Sequence, residues 1–201
     1  MSNRKTELTA AVATLKSKAS GGVPKIGEIG LQDKTIYLNV FLGGAAGTIN
    51  LVDANTRRLV GVTNLDGSKL NPGRDYIIDS IRFMNGNGGS TANTPEQNQL
   101  IAKSVDYTNG AIAVLRSAEF RITQGSNNLL DMPVSDLVGD IVTGTGALPV
   151  TAGFRNISTN PLLRSNQEFS LELEFPNGVV MPATGNGLCV RIEMRVHQAK
   201  R

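Results

Sequence analysis

His197 and Cys189 are the only histidine and the only cysteine of this 201-residue chain. A serine or cysteine nucleophile activated by a histidine base would therefore have to be built on His197. Both residues belong to a segment in which apolar and polar side chains alternate, which is typical of a β-strand. The alternation predicts that His197 is exposed on the polar face of that strand and that Cys189 is a half-buried structural thiol.

Carboxylates are the other side chains whose spacing could support chemistry. Glu172 and Glu174 lie two residues apart, as a glycosidase pair can, but they alternate with apolar residues, which favours a solvated row on one strand face. Asp131, Asp136 and Asp140 do not have the spacing of a calcium-binding loop. A single cysteine permits neither an intrachain disulfide nor a cysteine-based zinc site. The sequence therefore predicts a protein that is not an enzyme and has no metal, cofactor or small-molecule substrate.

The excess of basic residues lies near the N-terminus. Residues 1–74 contain ten Lys and Arg against five Asp and Glu, whereas the rest of the chain contains ten against twelve. From Leu8 to Ala19, apolar residues recur at spacings of four, three and four, as on one face of a helix. Residues 1–25 are therefore predicted to form a basic N-terminal arm, either a short amphipathic helix or a partly disordered segment.

The arm is expected to contact a membrane surface, nucleic acid or a neighbouring subunit. A frayed, solvated terminus without a role is the alternative. The residues predicted to make the contact are Arg4, Lys5, Leu8, Val12, Leu15, Lys16, Lys18 and Lys25.

Residues 26–201 are predicted to form one β domain. Alternating segments occur at 35–42, 168–175 and 190–197, and Asp75–Met84 has apolar residues on both faces, as a central strand does. About eight to ten short strands with little helix indicate an antiparallel β-sandwich or barrel. Because most connections are too long for hairpins, Greek-key wiring is favoured over a meander.

The last two alternating segments have outward faces of opposite charge. If they pair with each other, Glu172 and Glu174 are expected to face Arg191 and Arg195. The linker between them, residues 176–187, is too long for a tight hairpin and indicates a crossing over an edge or to a second sheet.

Several shorter elements are also expected. Further strands are predicted at 57–62 and 112–115, a turn at 124–128, and one helical turn at 135–138. Pro133 lacks a backbone N–H, so it is expected at a sheet edge or at a strand end.

These segments, together with the basic arm, resemble the single jelly-roll capsid proteins of tailless icosahedral viruses and phages. Asp75–Phe83 resembles an early barrel strand, and Ala118–Val134 resembles the strand-turn-strand of its middle, ending in Leu-Asp-Met-Pro-Val. Phe169–Phe175 and Val190–Val196 resemble its closing strands. The resemblance implies an all-β fold, an antiparallel β-sandwich with a single jelly roll, preceded by the arm.

The resemblance also implies a function. The chain is expected to be a structural virion protein that self-assembles into an icosahedral shell, as a major capsid or vertex protein. Its partners would be further copies of itself and other capsid subunits, with an internal membrane or the viral genome on the side of the arm. The expected location is the virion, assembled in the host cytoplasm. The lack of a signal-peptide core or an apolar stretch of membrane-spanning length agrees with use without secretion.

Two other functions remain open from the residues alone. A β-sandwich module that binds a carbohydrate or an attachment receptor would normally present clustered Trp and Tyr for stacking. This chain has no Trp, and Tyr37, Tyr76 and Tyr107 are scattered. A nucleic-acid binder acting through residues 4–25 is the other alternative.

Overall fold

A computed structural model of the chain describes residues 30–86, 112–138, 153–183 and 188–200, together with Ala13. These ranges are mostly β, with nine strands and two single helical turns. No helix among them has the length and apolar character needed to cross a membrane. The strands are β1 (Gly30–Phe41), β2 (Thr48–Asn50), β3 (Arg74–Gly86), β4 (Glu119–Gln124), β5 (Asn127–Pro133), β6 (Arg155–Asn156), β7 (Leu162–Leu163), β8 (Phe169–Glu174) and β9 (Cys189–Lys200). The helical turns are α1 (Ala113–Arg116) and α2 (Val134–Leu137).

The strands form two antiparallel sheets. Sheet A has the order β1-β9-β3-β6, and β7 also pairs with β3. Sheet B has the order β2-β8-β4-β5. In sheet A, β9 pairs with β1 from Gly30 opposite Lys200 to Phe41 opposite Cys189. It pairs with β3 on its other side, with a bulge at Asp79.

The inward faces of the two sheets bury a common apolar core. Because side chains alternate along a strand, every second residue of β8 and β9 lies in that core. Phe83 of sheet A meets Phe120 of sheet B edge to face, with ring centroids 5.1 Å apart. The core residues of the two closing strands are Phe169, Leu171, Leu173, Val190, Ile192, Met194 and Val196.

Several predictions from the sequence are confirmed. The strand at 75–84 is central, since β3 lies between β9 and the short strands β6 and β7. Pro133 ends β5, which is the edge strand of sheet B. Among the described strands, β4 and β5 are the only consecutive pair that is hydrogen-bonded, so the wiring is not a meander. The helical turn α2 begins one residue before the predicted range.

The expected pairing of the last two alternating segments is wrong. Strand β8 belongs to sheet B and β9 to sheet A, so Glu172 and Glu174 do not face Arg191 and Arg195. The connection between the two strands leads from one sheet to the other, which was the second interpretation of its length. Each strand finds its charge partners within its own sheet instead.

Two predicted strands are also wrong. Residues 57–62 are not a strand: residues 60–62 form a turn between Leu59 and Thr63, which exchange backbone hydrogen bonds of 3.1 and 2.9 Å. Gly61 within it has a φ of +87°, outside the range of a regular strand. Residues 112–115 are not a strand either, because Ala113–Arg116 form the helical turn α1, in which Leu115 is buried. An apolar run of this length fits either a strand or a helical turn, and here the tertiary contacts of Leu115 decide.

Candidate functional site

The residues predicted to make the contacts of the N-terminal arm lie outside the described ranges. These arm residues are Arg4, Lys5, Leu8, Val12, Leu15, Lys16, Lys18 and Lys25. Asp140, one of the three aspartates considered for a calcium site, also lies outside the described ranges. The contact of the arm with a membrane, nucleic acid or a subunit therefore stays a prediction.

His197 lies on the outward face of β9, in the predicted register, but the prediction that it is exposed is wrong. Its side chain is only 14% exposed. Nδ1 lies 3.1 Å from Oδ1 of Asp33, the opposite residue on β1, and the opposite residue on β3 is Ile77. Nε2 is buried and has no hydrogen-bond partner among the residues that the structure describes. The ring thus forms a cross-strand polar pair with one carboxylate.

Cys189 is fully buried, more deeply than the half-buried thiol that was predicted. The described residues contain no group of three His, Cys, Asp or Glu side chains arranged to hold a metal ion. Asp131 instead accepts hydrogen bonds from Arg121 and from Asn128, each at 3.1 Å. Asp136 lies on α2.

The outward face of sheet A carries a buried ionic network of Arg82, Arg191 and Glu193. Glu193 lies on the central strand β9, and its side chain is only 6% exposed. Arg82 of β3 donates from Nε to Oε2 of Glu193 at 2.6 Å, and Arg191 donates from Nε to Oε1 at 2.6 Å. One carboxylate therefore binds two guanidinium groups, in surroundings where water screens the charges weakly. We call these three residues the Glu193 network.

Aromatic rings cover the arginines of this face. The guanidinium carbon of Arg191 lies 4.5 Å from the ring centroid of Tyr37 on β1. Those of Arg82 and Arg195 lie 4.3 and 4.1 Å from the ring centroid of Phe154, which precedes β6. Such stacking favours a guanidinium over a more strongly hydrated ammonium group. The network and its rings together connect β1, β9, β3 and the segment before β6.

The same face holds the turn at residues 57–62, which we call the 57–62 turn. The backbone N–H of Gly61 donates to the hydroxyl of Tyr37 at 3.2 Å, and Nδ2 of Asn39 donates to the carbonyl of Gly61. Oδ1 of Asn39 accepts from Nη1 of Arg191 at 3.5 Å. The turn is therefore attached to the edge strand β1 and, through Asn39, to the Glu193 network.

The outward face of sheet B is an exposed acidic surface with one central arginine. Arg121 on β4 forms ion pairs with Asp131 of β5 at 3.1 Å and with Glu174 of β8 at 3.3 Å. Glu172 lies opposite Arg121, and Glu119 lies opposite Glu174. The hydrogen bond with Asp131 and its negative charge raise the pKa of Arg121 above the ordinary value. Since arginine is already charged below about pH 12, this shift adds no pH dependence near neutrality.

Glu119, Asp131, Glu172 and Glu174 together are called the acidic face. Glu172 and Glu174 lie in a solvent-facing row, as predicted, but their basic neighbour is Arg121 rather than Arg191 or Arg195. Ser170 donates to Oε1 of Glu172 at 2.8 Å.

A groove of about 280 Å³ lies between the edges of the two sheets. One wall is formed by β5, the edge strand of sheet B, and the other by residues 155–159, which include β6 of sheet A. Asp131, a member of the acidic face, also lines this groove, and Arg155 lines the opposite wall. The apolar lining consists of Leu129, Leu130, Met132 and Ile157, and none of the described lining residues has an aromatic ring for stacking a sugar. We call this feature the edge groove.

No model of a known protein family and no curated protein matches this chain. We therefore infer its function from the fold, the acidic face and the edge groove.

Sequence reasoning missed the Glu193 network and the edge groove. The alternation of Arg191, Glu193 and Arg195 was visible, but it indicated a solvated face. Arg82, the partner that turns this face into a buried network, is 111 residues away from Glu193. No local pattern points to such a partner.

Proposed function

We propose that the chain is a structural virion protein with a single jelly-roll domain, which self-assembles into an icosahedral capsid shell as a major capsid or vertex protein. The observation that carries the proposal is the strand order of the two sheets. A jelly roll is a sandwich of eight strands in two sheets, built from two Greek keys. If β6 and β7 together occupy one strand position beside β3, the order β1-β9-β3-β6 facing β2-β8-β4-β5 corresponds to that wiring.

The jelly roll also occurs in lectin domains and in cupins, so the fold alone does not assign the function. The distribution of charge favours assembly over ligand binding. The acidic face lies on one sheet, and the basic excess of the chain lies before residue 75. Copies with surfaces of opposite charge attract one another and are held in one orientation. Among the described residues, the lining of the edge groove offers no aromatic ring, so it adds no support for a carbohydrate-binding module.

The N-terminal arm completes this proposal. Residues 1–25 contain five Lys and Arg against one Glu, and an arm of this charge would contact the anionic headgroups of an internal membrane, the viral genome or a neighbouring subunit. Residues 26–201 would form the wall of the shell.

Analytical ultracentrifugation and electron microscopy of the purified full-length chain test the proposal. Closed particles of uniform size are expected, because a finite shell needs contacts that close by symmetry. The same measurements on residues 26–201 alone show whether assembly depends on the arm. A strictly monomeric full-length chain at high concentration and across salt concentrations would overturn the proposal.

A further inference from the structure

The 57–62 turn presents an apolar side chain to solvent. Val60 is 81% exposed, more than any other large apolar residue of the described ranges. Arg57 and Arg58 precede it and are also exposed. Nη1 of Arg57 contacts the carbonyl of Ala54 at 3.0 Å. The turn thus combines one projecting apolar group with two positive charges.

This turn is held firmly in place. Leu59 accepts backbone hydrogen bonds of 2.9 Å from both Val62 and Thr63. On its other side, the turn is bonded to Tyr37 and Asn39 of β1, as described above. A contact made by a rigid turn loses little conformational entropy on binding, so more of its interaction energy appears as affinity.

The edge groove has complementary properties. Its lining includes Leu129, Leu130, Met132 and Ile157, which would receive an aliphatic side chain. Asp131 at the groove, with the rest of the acidic face beside it, would receive cations. Arg155 lies on the opposite wall, so the cations are expected on the β5 side.

The two surfaces lie at opposite edges of the molecule. The 57–62 turn is attached to β1, whereas the groove lies at β6, and β9 and β3 separate these two edge strands of sheet A. At about 4.8 Å per strand, that separation is about 14 Å within the sheet. A turn held against β1 therefore does not reach the groove of its own chain. A contact between two different surfaces is heterologous, so each subunit can bind one neighbour on each side.

We propose that the 57–62 turn of one copy docks in the edge groove of a second copy, with Val60 in the apolar lining and with Arg57 and Arg58 against Asp131 and its neighbours. This inference rests on the proposed function and names one contact through which the shell grows. Repetition of the contact around one symmetry axis produces a closed ring, and repetition without closure produces a filament. Rings are joined into a shell by contacts of a second kind.

Two variants separate the two halves of the contact. Val60→Glu removes the apolar group and brings a carboxylate toward Asp131, and Asp131→Lys places a cation opposite Arg57 and Arg58. Each variant alone is expected to raise the dissociation constant of self-association by about tenfold or more. An equimolar mixture is expected to form a dimer that grows no further through this contact, because the intact turn of the Asp131→Lys chain enters the intact groove of the Val60→Glu chain. Sedimentation velocity measures all three samples.

Val180→Glu is the matched control, since Val180 is also an exposed apolar residue, at 55%, and lies outside both surfaces. It is expected to assemble like the unchanged chain, and circular dichroism should show the same fold for every variant. Assembly of Val60→Glu at the unchanged concentration, or a mixture without a dimer, overturns the contact while the proposed function stands. A full-length chain that does not assemble at all overturns both.

Discussion

The outward faces of the two sheets carry the same kinds of charged side chain in opposite environments. On sheet A, Glu193 binds two arginines and is 6% exposed. On sheet B, Arg121 binds two carboxylates, and its partner Glu174 is 48% exposed. Both arrangements are rows of alternating charge on antiparallel strands. A buried pair is costly to break because one charge is left uncompensated, whereas an exposed pair contributes little to stability.

The difference in burial has an identifiable cause. Phe154 and Tyr37 lie over the arginines of sheet A, and Asn39 is bonded to the 57–62 turn. On sheet B, the carboxylates of Asp131 and Glu174 face solvent, with 39% and 48% of their side chains exposed. The charges on the outward face of sheet A are therefore largely shielded from water, whereas the carboxylates of sheet B are open to it.

The largest expected effect is that of Glu193→Gln. The substitution keeps the shape of the side chain but leaves two guanidinium groups, 14% and 13% exposed, without their shared carboxylate. Loss of one partner of a buried ion pair typically costs about 3–5 kcal/mol of the free energy of unfolding. Equilibrium denaturation in urea measures the loss. Glu174→Gln is the control on sheet B and is expected to cost less than about 1 kcal/mol; equal losses for the two variants would contradict the comparison.

A smaller loss is expected for Asn39→Ala. The carbonyl of Gly61 would lose its side-chain donor, and Arg191 would lose an acceptor, at a site where Asn39 is 4% exposed. A buried polar group without its partner costs about 1–3 kcal/mol. The matched control is Asn128→Ala, because Asn128 donates its amide to Asp131 on the exposed face. We expect a clear shift of the urea midpoint for Asn39→Ala only; a shift of similar size in the control would show that burial is not the deciding factor.

The smallest effect is expected for Arg121→Gln on sheet B. The change in stability should be small, and it should disappear as salt is added, because ions screen pairs that are open to water. Arg82→Gln on sheet A should instead remain destabilising at all salt concentrations. Denaturation curves of both variants at low and high ionic strength measure how the loss of stability depends on salt. A salt-independent loss for Arg121→Gln would place the ion pairs of sheet B in the same class as the Glu193 network.

Residues 168–175 and 190–197 show which structural features a local sequence pattern predicts and which it does not. Both were predicted as strands, and both are strands with the predicted faces inward, because alternation depends only on neighbours in the chain. Their expected pairing with each other was wrong, because pairing depends on which strands of the whole sandwich lie side by side. The acidic row of β8 and the basic row of β9 are both present. The opposite charge comes from Arg121 for the acidic row and from Glu193 for the basic row.

The turn at 57–62 illustrates the same point for the candidate site. Its residues were predicted as a strand, yet Gly61 has a positive φ, and Tyr37 and Asn39 form hydrogen bonds with its backbone. These two residues precede the turn by about twenty positions. No sequence pattern within the turn itself indicates that residues of β1 hold it in place.

The amino-acid sequence by itself determined the all-β class, the inward faces of the long strands, the position of Pro133 at a sheet edge or a strand end, and the departure from a meander. Each of these follows from alternation, from turn residues or from the missing N–H of proline, which act over a few residues. Only the tertiary structure decided that β8 and β9 belong to different sheets, that Glu193 is buried between two arginines, and that the 57–62 turn and the edge groove lie at opposite edges. These features depend on contacts between residues far apart in the chain, and burial is a property of such contacts rather than of any one segment.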